Sequence, residues 1–143
     1  MNRDQLILAT LSAAGEGDFS PVQVQKLFFL IDKTVPAETG GPHFKFKPYD
    51  YGPFDHAVYA ALEDLEQQGL VAIRDRDSRS QRRYSLTGEG VERGRTAMAT
   101  LPTHVANHLA NVVEFVRKAS FNNLVSAIYK AYPEMKVNSV FNG

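Results

Sequence analysis

The first apolar run, Leu6 to Ala14, follows Arg3 and Asp4 and is closed by Glu16 and Asp18. It is weakly like a signal-peptide core. Asp4 cancels Arg3, however, and acids follow at once, so a first helix is expected instead. Ser20, Pro21 and Gln23 then spell a helix start: an N-cap, a proline at the first helical position and a capping-box partner. Phe19 and Val24 are spaced for a hydrophobic staple. Val24, Leu27, Phe28, Ile31 and Val35 recur at helical spacing, with Phe29 and Leu30 outside that stripe. So wide an apolar surface predicts a helix that is central or buried on two sides.

Pro36 ends that pattern, and the stretch to Tyr51 reads as loop with a short alternating segment, Phe44-Lys45-Phe46-Lys47, that suits a strand. Gly52-Pro53 is expected to open the next helix, about Pro53–Gln68, with Asp55 complementing its positive end. Phe54, Val58, Ala61, Leu62 and Leu65 form its buried face, and Gly69 stops it. The period then changes. Leu70–Ile73 and Arg83–Leu86 read as two strands around a charged tip, a β-hairpin with Tyr84 and Leu86 on one face. Thr87 caps a further helix, which Gly88, Gly90 and Gly94 weaken. The last forty residues are helical: Val105, Leu109, Val112, Val113 and Val116 make one stripe, and Phe121 to Tyr132 another after a Ser120 cap. The expected fold is mainly α with a small β-hairpin, a winged helix-turn-helix with extra C-terminal helices. It forms one domain over residues 1–143, with a core to about residue 100 and a helical extension from about 101.

A helix leading into a charged-tipped hairpin places residues 53–68 at the recognition position and residues 74–83 in the wing. At these residues the chain resembles a known family. Val24 to Leu30, then Tyr49-Asp50-Tyr51-Gly52-Pro53-Phe54, then Leu65 to Val71 look like the prokaryotic YwgA-like proteins. They look, more distantly, like phage-associated SocA/GepA-type proteins carrying the Panacea antitoxin domain. Ala131 to Met135 and Asn138-Ser139 fit the first group. The resemblance covers about Ser20 to Ser139. It implies a small winged-helix-like protein of phage, toxin–antitoxin or defence loci, and brings no catalytic residues with it.

Composition changes this picture through its distribution. Sixteen Lys and Arg balance sixteen Asp and Glu over 143 residues. Residues 50–70 hold no Lys or Arg and five acids, whereas residues 71–95 hold seven Arg against four acids. Wing residues Arg74, Arg76, Arg79, Arg82 and Arg83 are therefore the candidate phosphate contacts. On the recognition-position helix, His56, Tyr59 and Gln67 are the candidate base contacts, while Asp55, Glu63, Asp64 and Glu66 would repel a duplex. Two functions follow. One is a DNA-binding regulator, an antitoxin-type autorepressor of its own locus, with double-stranded DNA as partner. The alternative is a protein–protein interaction module whose acidic helix meets a basic partner such as a toxin or defence effector. Val105, Leu109, Val112 and Val116 are candidates for a homodimer seam, or else for plain core.

Catalysis is not expected. Cysteine is absent, which excludes disulfides and thiol chemistry and suits a cytoplasmic location. His104 and His108 are four apart, but no Glu follows His104 as a zinc hydrolase requires, so no metal is assigned. Gly88-Glu89-Gly90 lacks the spacing and lysine of a phosphate loop. Ser78, Ser80 and Ser85 lack a defined histidine partner, and no cofactor is implied. No apolar run approaches the roughly 18 residues of a membrane span.

Overall fold

Asn2 and Gln5 form a capping box at the chain's first turn: Gln5 N–H donates to Asn2 Oδ1 at 2.8 Å, and Asn2 N–H to Gln5 Oε1 at 2.9 Å. They start α1 (Arg3–Ser12), whose residues Leu6 to Ser12 are all buried. The computed structural model describes residues 1–142. α2 (Pro21–Thr34) begins as its sequence predicts, with Ser20 and Gln23 exchanging bonds of 3.2 and 2.8 Å. Val24, Leu27, Phe28, Phe29 and Ile31 are fully buried, so α2 is the central helix. It packs against helices on several sides, as a wide apolar stripe requires.

Residues 35–55 depart from expectation in three places. Pro36 stops α2 but also starts a single helical turn, α3 (Pro36–Thr39). The expected strand lies further on: β1 (Lys47–Tyr49) pairs antiparallel with β2 (Gly52–Phe54). Gly52 and Pro53 therefore open no helix. Gly52 takes φ +102°, which turns the chain back and is available only to glycine without strain. Helix α4 (His56–Gln67) starts three residues later, where the Asp55 carboxylate accepts Ala57 N–H at 2.9 Å. Two buried polar groups of α2 decide this start. Gln25 accepts from Asp55 N–H at 2.9 Å and donates to Asp55 O at 3.0 Å. Lys26 donates to Pro53 O at 3.2 Å. A proline at N1 is only a local preference; bonds to buried partners outweigh it.

Beyond α4, Gly69 closes the helix with φ +79°. The hairpin is β3 (Val71–Arg74) and β4 (Arg83–Leu86), in register Val71 opposite Leu86 and Arg74 opposite Arg83. Tyr84 and Leu86 point into the core at 1% and 2% exposure. Thr87 caps α5 (Gly88–Met98), accepting Gly90 N–H at 3.1 Å. Gly94 of α5 has a use that propensity hides. A Cβ on Gly94 would lie 2.7 Å from Ser12 Cβ and overlap the Leu8 carbonyl, so α5 approaches α1 this closely only through glycine.

α6 (Thr103–Lys118) and α7 (Phe121–Ala131, capped by Ser120) complete the fold, followed by a 3₁₀ turn at Pro133–Lys136. They are not an appendage to a core ending near residue 100. Leu109, Val113, Val116, Leu124, Val125 and Ile128 belong to the same apolar cluster as α1 and α2. This corrects the dimer-seam expectation. Val105, Leu109 and Val116 are 1%, 0% and 0% exposed within a single chain, and Val112 packs half-buried against the same core. Over the described residues the molecule is mainly helical with two small antiparallel two-stranded sheets. No described helix is long and apolar enough to cross a membrane.

Candidate nucleic-acid interface

The five arginines expected to act as a wing, at the β3–β4 hairpin, do not form one open cationic surface. Arg74 pairs with Asp18, in the segment before α2. Arg76 pairs with Glu66 in the last turn of α4, and this bond raises the guanidinium's pKa above its ordinary value. Arg82 folds back on the tip, its Nε donating to Arg76 O at 3.0 Å. Arg83 is half-buried and donates to Ser80 O at 3.1 Å and Arg82 O at 2.7 Å. Arg79 is exposed and has no bonded partner among the described residues. It borders a cleft with Ser20, Pro21, Gln23 and Phe121. The charges of the loop thus organise the tip itself.

The α4 residues separate as well. His56 and Gln67 are exposed. Tyr59 is not free to read a base. Its ring lies flat on Tyr84 at 6.0 Å, and its hydroxyl donates to Pro21 O at 3.3 Å. Burial pushes that hydroxyl above the usual tyrosine range, although Arg79 and Arg82 are close enough to oppose the shift. Of the acids, Asp55 leaves the outer face altogether, because its two oxygens hold Ala57 N–H and Lys45 N–H. Glu66 is engaged by Arg76, which leaves Glu63 and Asp64 exposed.

Several residues that shape the site went unassigned in sequence. Asp32, 8% exposed, accepts the N–H groups of His43 and Phe44 at 3.0 and 2.9 Å and so positions the loop before β1. Gln25 and Lys26 do the same for the start of α4. The available signal was three polar residues interrupting the broad apolar face of α2. Of the paired histidines, His108 shares a 2.8 Å hydrogen bond with Thr34. No described cluster of His, Asp and Glu could hold a metal ion.

Compared with family models, curated proteins and solved structures, the chain matches none. A second surface competes with the wing. A cavity of about 520 Å³ lies between α1, α4 and α5, and Asp4, Glu89, Glu92 and Arg93 are among its lining residues.

Proposed function

We propose that the chain is a winged-helix DNA-binding regulator of the cytoplasm, acting without catalysis as an antitoxin-type autorepressor. One observation carries the reading. Phe19, immediately before α2, makes a two-way backbone bridge to Tyr84 of the hairpin, with N···O distances of 2.8 and 2.9 Å. The segment before α2 thus adds a third, one-residue rung to the hairpin. This order, α1, a bridge, α2, α4 and then the hairpin, supports a winged helix with residues 35–55 inserted before its recognition-position helix. Arg79 supplies an unpaired cation on the wing, and His56 and Gln67 supply exposed hydrogen-bonding groups on α4.

The test is binding of the full chain to duplex DNA from upstream of its own reading frame across a salt series. Affinity that falls as salt rises, and falls again on replacing Arg79, Arg82 and Arg83 by Ala, supports the proposal. Binding without salt dependence, or unchanged in that variant, removes it.

A second reading rests on the exposed Glu63 and Asp64 and on the acid-lined cavity beside α5. In that reading the chain is a protein-binding module for a basic partner segment. A stoichiometric partner lost on Glu63→Lys/Asp64→Lys, with DNA binding absent, would favour it over the first.

A further inference from the structure

We infer that the exposed face of residues 45–49 is a second phosphate-gripping arm for duplex nucleic acid, bracketing α4 from the end away from Glu66. The inference rests on the DNA-binding reading above and assigns that site new residues. β1 spans Lys47–Tyr49, and exposure alternates along residues 44–49, so successive side chains face two sides. Phe44 and Phe46 turn inward, with ring centroids 5.9 Å from Phe28 and 5.5 Å from Phe29. Lys45, Lys47 and Tyr49 are exposed on the other side, and Tyr49 is 58% exposed. The aromatic anchors fix which face carries the cations.

Three further features make this face a grip rather than a scatter of surface lysines. First, it is tied to α4: Lys45 N–H donates at 2.7 Å to the same Asp55 carboxylate that caps the helix. Second, Arg3 joins it across a cleft of about 450 Å³ lined by Arg3, His43, Lys45, Lys47 and Asp55 among others. The Arg3 guanidinium is held there by His43 O at 3.1 Å and lies 4.5 Å from the Phe44 ring centre. Third, these cations are available. Among the described residues Arg3, Lys45 and Lys47 have no ion-pair partner, whereas Arg74 and Arg76 of the wing do. The opposing charges are Asp55, whose oxygens already accept two N–H groups, Asp32, whose oxygens accept His43 and Phe44 N–H, and Asp50 in the β1–β2 turn.

The spacing suits a duplex. α4 has twelve residues, so it is about 18 Å long at 1.5 Å per residue. The major groove is about 12 Å wide, and its walls are phosphate. Lys45 and Lys47 lie beside the first turn of α4, and Arg79 on the hairpin tip adds a cation with no bonded partner among the described residues. Attraction from these cations would offset the repulsion of a helix whose own face carries Glu63 and Asp64. Tyr49 extends the arm, stacking on Phe54 at 5.3 Å, which in turn meets Tyr59 edge-on at 5.7 Å.

The experiment compares wild type, Lys45→Ala/Lys47→Ala, Lys45→Arg/Lys47→Arg and the single charge reversal Lys47→Glu. Each is titrated with the upstream duplex and with a duplex of random sequence, because phosphate contacts carry no sequence information. Each phosphate contact contributes about 0.9 to the slope of log affinity against log salt. The Ala pair should therefore flatten the slope by about 1.8 on both duplexes and weaken low-salt binding about tenfold. The Arg pair should retain wild-type binding. Lys47→Glu should weaken it, with the circular dichroism of every variant unchanged. If wild type binds with a steep salt slope and the Ala pair leaves slope and affinity intact, the arm is wrong and the wing reading stands. If wild type binds neither duplex, both fall. If the Ala pair instead loses only an acidic protein partner, the arm is wrong.

Discussion

Arg76 of the β3–β4 hairpin and Glu66 of α4 form an ion pair that joins the hairpin tip to the last turn of that helix. The two residues come from segments of opposite charge that abut in sequence. The pair is the point where that contrast is cancelled in space. It ties the hairpin tip to α4 and engages one of the cations a phosphate would need, while the Arg76 side chain stays exposed.

Breaking the pair should therefore raise DNA affinity while leaving the fold alone. Glu66→Gln releases Arg76 and removes one negative charge from α4. We expect tighter binding by a few-fold and a salt slope steeper by about 0.9 if Arg76 then reaches a phosphate. Exposed pairs contribute about 0–1 kcal/mol, so the urea midpoint should barely move. Weaker DNA binding by Glu66→Gln would mean the pair instead holds the wing in its working position.

Arg79 and Arg82 should behave differently from one another. Arg79→Ala removes an unpaired, exposed cation, so it should flatten the salt slope by about 0.9 with no change in protease resistance. Arg82→Ala also unties the tip from Arg76 O. It should speed proteolytic nicking between residues 75 and 82. Identical behaviour of the two variants in both assays would contradict the distinct bonding of these side chains.

The helices were legible wherever caps and apolar period agreed, as at Ser20–Gln23, Thr87 and Ser120. The hairpin was legible from the change of period after Gly69. The start of α4 was not, because Gly52-Pro53 is a sound local signal that long-range bonds from Gln25 and Lys26 override. The interface was half legible for a similar reason. Sequence shows which segments carry charge, but not that Arg74 meets Asp18 fifty-six residues away or that Asp55 is consumed as a cap. The α6 valines could not be divided between core and seam by spacing, since both need the same stripe.

Their placement in the core has a consequence. Leu109→Ala should lower stability by about 2–5 kcal/mol, the usual cost of truncating a buried leucine. The loss should be the same at low and high protein concentration. A midpoint that fell on dilution, in wild type and not in the variant, would return this stripe to an interface between chains.

Gly94→Ala tests the close packing of α5 on α1. In an exposed helix this change would stabilise by up to about 1 kcal/mol. Here the new methyl meets Ser12 Cβ and the Leu8 carbonyl, neither of which is the end of a flexible chain. We expect a net loss of about 1–3 kcal/mol, as for other overpacked cores. Gly88→Ala, with open space around it, serves as the control and should be neutral or stabilising.

Lys26 makes stability depend on pH in a direction that can be stated in advance. It is 4% exposed, and burial lowers its pKa from 10.5 to about 8. Between those values the unfolded chain holds the proton and the native chain does not. Unfolding then takes up a proton, so stability rises with pH across the window from about 8 to 10.5. Below it both states are protonated and the contribution is flat, at the level that includes the cost of the buried cation. The rise is worth about 3 kcal/mol, at about 1.4 kcal/mol per pKa unit. Lys26→Met carries no such group, although it leaves Pro53 O without its bond. Urea unfolding of both proteins across the window should show the variant's advantage shrinking by that amount as pH rises. Parallel curves for the two would mean that Lys26 titrates with its ordinary value in the folded chain.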